Sequence, residues 1–161
     1  MRAFLRDELG VQSLLVGSSD HNHWSSGYPL LSSTAKLDVV DGHVYWQHPH
    51  YLEGRLPTGQ SRFEIPNTPM VADPLHSTVV QLARSAVDAK PYTVSEVNHP
   101  FPHRYSSEGI PILAAYGALQ DWDGIFWYTF EHRRPDEWEP RARGHFDLRP
   151  DPVKMAQLAA G

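Results

Sequence analysis

Glu96 closes a short β-rich run, Tyr92 to Val97, and the chain breaks directly after it at Asn98-His99-Pro100. Strand alternation places Tyr92, Val94 and Glu96 on one face. An unpaired acid in an apolar core is costly, whereas the carboxyl end of a strand in an α/β protein is where ligands bind. Glu96 is therefore the first candidate for chemistry, set against the plainer reading of a solvated glutamate. Two histidine-bearing stretches come next, Asp20-His21-Asn22-His23-Trp24 and His48-Pro49-His50. Imidazoles and a carboxylate suit zinc, but no third ligand is visible, and loop histidines equally hydrogen-bond solvent or substrate. No Gly-x-Ser-x-Gly elbow marks a nucleophilic serine. No glycine-rich phosphate loop is present, and no cofactor is expected.

These side chains need elements to position them. Phe4, Leu5 and Leu9 predict a short helix ended by Gly10, and Val11 to Gly17 a buried strand. A polar loop follows, then a helix over Tyr28 to Lys36. A second strand is predicted over Val44 to Gln47, and a loop from Leu52 to Met70. Asp73 as N-cap and Pro74 at N1 open a helix with Leu75, Val79, Leu82 and Val87 on its apolar side. The Glu96 strand is third. Ser106 or Ser107 starts a helix running through Ala114 to Leu119, and Ile125 to Phe130 is the fourth strand. Its alternation puts Ile125, Trp127 and Thr129 on one face and Phe126, Tyr128 and Phe130 on the other. The second set is expected against helices, leaving Trp127 for the interior. Asp151-Pro152 opens the last helix. Four strand–helix units in sequence predict parallel strands with helical crossovers in one α/β domain, residues 1–161.

Composition narrows the partners. Among 161 residues the formal net charge is −5 and no basic stripe exists, which argues against nucleic acid. Cysteine is absent, so neither disulfides nor thiolate metal sites are available. No apolar run spans a bilayer and the charged amino terminus is not a signal peptide, so no membrane partner is expected and the cytoplasm is the default location. Ten His, five Trp and seven Tyr supply flat faces with polar edges, suited to a polar, ring-shaped ligand. Trp24 and Trp138 fall in loops, as a binding platform or contact surface would.

Thr93-Val-Ser-Glu-Val-Asn-His-Pro-Phe-Pro102, Gln120-Asp-Trp-Asp-Gly-Ile-Phe-Trp-Tyr128 and Phe146-Asp-Leu-Arg-Pro-Asp-Pro-Val-Lys-Met155 together resemble the carboxyl-terminal half of clan-A retaining glycoside hydrolases, the cellulase- and β-galactosidase-like TIM barrels. The resemblance covers essentially the whole chain and implies a (β/α)4 half of a TIM barrel carrying strands 5 to 8. It implies a hydrolase acting on β-glycosidic bonds, with Glu96 as nucleophile, Trp127 under the sugar, and Tyr45, Trp46, His48 and Tyr51 beside the nucleophile. Asn98, His99, Asp20, His21 and Trp24 complete the expected carbohydrate site. The family's acid/base residue has no counterpart, because strands 1 to 4 are missing. A retaining glycosidase needs two carboxyl groups about 5–5.5 Å apart. Candidates for the second are the partner's Glu96 in a homodimer, Asp20 and Glu131. An open parallel sheet exposes its edges, so a homodimer is expected in which the Val11–Gly17 strand of one chain lies beside the Ile125–Phe130 strand of the other. Two rival readings stay open: a non-catalytic carbohydrate-binding half-barrel, and a metal-dependent hydrolase using the histidine-rich loops.

Overall fold

A computed structural model describes residues 1–19, 27–132 and 144–160. Its centre is a parallel sheet of three strands, β1 (Val40–Tyr45), β4 (Tyr92–Asn98) and β5 (Gly124–Trp127), in the order β1-β4-β5. Between the first two lies an antiparallel hairpin, β2 (His50–Arg55) with β3 (Ser61–Glu64). Among the described residues four α-helices follow the chain: α1 (Tyr28–Thr34), α2 (Thr78–Ala83), α3 (Gly109–Leu119) and α4 (Pro152–Leu158). Among the described residues no helix is long and apolar enough to cross a membrane.

One face of the sheet carries the core. Val40 and Val44 of β1, and Tyr92, Val94 and Val97 of β4, meet Val79 and Leu82 of α2 and Leu113 of α3. At full burial each such aliphatic side chain is worth about 1.5–3 kcal/mol. Gly42 has a steric reason to be glycine. A Cβ there would collide with the Tyr92 hydroxyl, which donates to the Leu82 carbonyl at 2.9 Å and so ties β4 to α2.

Several elements differ from the sequence expectation. The predicted Val11–Gly17 strand is reduced to one parallel bridge, Val16 with Val39. Arg2 and Arg6 pair with Asp38 beside it. The Leu15 amide also donates to Asp38; that bond is the main reason the carboxyl sits below its usual range, with the two arginines adding to it. The second strand begins at Val40, earlier than expected, and ends before Trp46. Asp73 does not cap: Pro74–His76 is a separate turn, and Ser77 caps α2 by accepting from the Val80 amide. Asp151 caps α4 as expected, accepting from the amides of Val153 and Lys154. The predicted loop from Leu52 onward contains the β2–β3 hairpin instead.

Candidate functional site

The opposite face of the sheet is polar, and its geometry depends on one extra residue in β4. Val94 pairs with Gly42 but Glu96 pairs with His43, and β5 likewise steps from Ile125 to Trp127 while β4 steps from Val94 to Val97. Both neighbours thus pass over one residue of β4, a β-bulge. Through it, Thr93, Ser95 and Glu96 all reach the face carrying Asp41, His43 and Tyr45, while Tyr92, Val94 and Val97 stay in the core. The expectation that Glu96 shares a face with Tyr92 and Val94 is corrected by this bulge.

Glu96 is about one-third exposed, and its Oε2 accepts the Tyr45 hydroxyl at 2.6 Å. Burial first, and the bond to Glu96 second, push the Tyr45 phenol upward, so it remains a donor. His43 stands beside it, Nδ1 3.7 Å from Glu96 and Nε2 2.5 Å from the Ser95 hydroxyl. Ser95 donates in turn to Asp41, which also takes the Thr93 hydroxyl at 2.7 Å. Ser19 reaches His43 Nε2 at 2.9 Å.

Aromatic rings continue the surface. Tyr45 meets His48 edge-on at 5.5 Å, Phe146 at 4.7 Å and Tyr128 at 6.5 Å. Behind Tyr128, His132 Nδ1 lies 2.5 Å from Asp147, and its Nε2 lies 3.3 Å from the Tyr128 hydroxyl. The Asp147 side chain is wholly buried. Burial alone would raise its carboxyl, but the bonds from His132 and from the Gly144 and His132 amides prevail and hold it below its usual range.

The expected site residues divide. Glu96, Tyr45 and His48 come together. Trp127 does not join them: it shares a register position with Val97 and packs on the core, while Phe126 on the alternate face is 61% exposed. The assignment of Trp127 to the interior and of Phe126 to the helices is therefore reversed, and Tyr128 is the aromatic beside Tyr45. Trp46 points away from Tyr45, buried with its indole N–H on the Thr68 carbonyl at 2.9 Å. Asn98 is fully buried as an anchor. Its amide donates to the carbonyls of Tyr128 and Phe146, and its oxygen accepts from the His99 amide and the Lys154 ammonium. His99 is buried against Gly109, Trp46 and His103, out of reach of a ligand. Asp20, His21 and Trp24, with Trp138, lie outside the described residues. Glu131 is paired with Arg149.

Asp41, His43, Ser95, Tyr128, His132, Asp147 and Phe146 were missed. A signal existed for the first two, since Asp41, His43 and Tyr45 alternate along β1. The others depend on the bulge or on contacts distant in sequence. No group of three or more ligand-type side chains able to hold a metal occurs among the described residues.

Fold and site together define a mixed α/β structure with a polar, aromatic-rimmed parallel-sheet face that carries Asp41 and Glu96. Compared with protein-family models, curated proteins and solved structures, the chain matches none.

Proposed function

We propose that the chain is a half-barrel related to retaining β-glycosidases, with Glu96 as nucleophile. The observation carrying this reading is the placement of Glu96: a partly exposed carboxylate at the carboxyl end of the middle parallel strand, held by a half-buried phenol among aromatic rings. The donated hydroxyl fixes one carboxylate oxygen and leaves the other to attack an anomeric carbon, while aromatic faces suit the CH face of a sugar. The sheet order supports the half-barrel: Val16, β1, β4 and β5 follow one another in space as in sequence, all parallel.

The same reading has the barrel closed by a second copy. Apolar side chains stand exposed at both ends of the sheet, Leu14 and Val16 on one side and Phe126 and Phe130 on the other. Pairing of these edges would remove that exposure and the unsatisfied strand edges at once.

A second reading, a carbohydrate-binding half-barrel without turnover, is favoured by the engagement of the nearby acids. Asp41 is held by Thr93 and Ser95, Asp147 by His132 and two amides, and Glu131 by Arg149. Dinitrophenyl β-glycosides of several sugars separate the two, because their leaving group needs little acid assistance. Glu96→Ala is expected to lose turnover by about three orders of magnitude, and azide to restore part of it as the α-glycosyl azide. Equal turnover by wild type and variant would exclude Glu96 as nucleophile. Saturable sugar binding without turnover would establish the second reading.

A further inference from the structure

The β2–β3 hairpin buries none of its side chains, so it adds nothing to the core, yet it presents rings. Tyr51 is 61% exposed and Phe63 38%, and Phe101 beside them is 49% exposed. With His145, Gln60 and Ser61 they line a cleft of about 360 Å³, within the size range of small-ligand sites.

The arrangement is held from outside the hairpin. His145 Nδ1 bonds the Phe101 carbonyl at 2.5 Å, and the Phe101 amide returns to the His145 carbonyl. The imidazole therefore stands fixed against Phe63 at 4.4 Å and Tyr51 at 5.8 Å. With Nδ1 donating, Nε2 is the ring's acceptor. Gln60 and Ser61 add an amide and a hydroxyl at the rim. Among the described residues no Lys, Arg, Asp or Glu lines the cleft. Rings beside neutral hydrogen-bonding groups fit a ligand with both CH faces and hydroxyls.

Ring contacts link the cleft to the site around Glu96, beginning with His145 and Phe146 at 6.3 Å. His145 precedes Phe146, whose ring meets Tyr45 at 4.7 Å and His48 at 5.3 Å, and Tyr45 holds Glu96. We propose that the hairpin cleft is a second saccharide subsite, so that the ligand is an oligo- or polysaccharide chain running from Glu96 across Phe146 to Phe63 and Tyr51. This rests on the carbohydrate reading of the Glu96 site and specifies its substrate class: extended β-linked chains rather than simple glycosides.

The test is binding, measured calorimetrically in a Glu96→Gln background so that ligand is not consumed. The probes are β-linked gluco-, manno-, xylo- and galacto-oligosaccharides from disaccharide to hexasaccharide. Affinity for one series is expected to rise with chain length, and Phe63→Ala with Gln60→Ala to remove that rise, costing about ten-fold on the longest member. Both residues are exposed, so the double variant leaves the core intact. Affinity independent of length, or a double variant that binds every length as its parent does, overturns the proposal. So does loss of a dimer by light scattering with saccharide affinity unchanged, since the rings would then face a second copy. Length-dependent binding without hydrolysis by the unsubstituted protein upholds the subsite while removing the glycosidase. Hydrolysis dependent on Glu96, with no length dependence, does the reverse.

Discussion

Acid should destabilise this protein through one buried side chain, His99. It is 1% exposed, and neither ring nitrogen finds a hydrogen-bond partner among the described residues. Burial above all, with the neighbouring His103 and Lys154 adding to it, lowers the imidazole from 6.5 to about 3. Between those values the unfolded chain binds a proton that the folded chain refuses, so stability increases with pH across this window and falls on acidification. The slope approaches about 1.4 kcal/mol per pH unit at its steepest. Integrated from pH 6.5 down to about pH 4.5, the loss is about 2 kcal/mol, in a range where carboxylates of ordinary affinity also begin to protonate. His103, also lowered chiefly by burial, adds to the same window, so the measurement must be differential. Urea unfolding of wild type and His99→Leu should give free energies within about 1 kcal/mol at neutral pH, because the replaced nitrogens have no partners to lose. On acidification the wild type should fall faster, and the two curves should separate by about 2 kcal/mol. Parallel curves over this window would refute the argument, as they would mean that His99 takes up its proton in the folded state.

Asn98→Ala should be far more damaging, because it removes partners from the Tyr128 and Phe146 carbonyls and from the Lys154 ammonium together. A loss of at least about 3 kcal/mol in urea unfolding is expected, and a loss below about 1 kcal/mol would show that those groups find other partners. Tyr45→Phe deletes the single hydroxyl bond to Glu96. A bond to a charged group is worth about 1.5–3 kcal/mol, so kcat/KM on dinitrophenyl β-glycosides should fall about ten- to hundred-fold with folding intact. Unchanged kinetics would mean that the hydroxyl does not organise the attacking carboxylate.

What the sequence revealed, and what it hid, follows from which interactions leave a periodic trace. Alternating strand and helix patterns made the parallel sheet legible, and the break after Val97 located Glu96 at a strand end. The start of β1 was hidden because Asp41-Gly42 looks like a turn. In the fold Asp41 is bonded across to β4, and Gly42 makes room for the Tyr92 hydroxyl. The hairpin was hidden for the opposite reason: with both strands exposed, no burial pattern marks them. Face assignments failed beyond Val94 because alternation counts every residue, and a bulge breaks the count. The β5 faces failed more simply, since Ile125-Phe-Trp-Tyr is apolar on both sides and only packing decides which side is the core.

Position along β4 is thus set by arithmetic as much as by chemistry. Removing Ser95 would restore regular pairing and leave Glu96 opposite His43 on the polar face, with Val94 and Val97 still toward the core, while taking away the hydroxyl that links His43 to Asp41. A one-residue deletion that keeps the acid in place therefore isolates what the His43, Ser95 and Asp41 chain contributes to it.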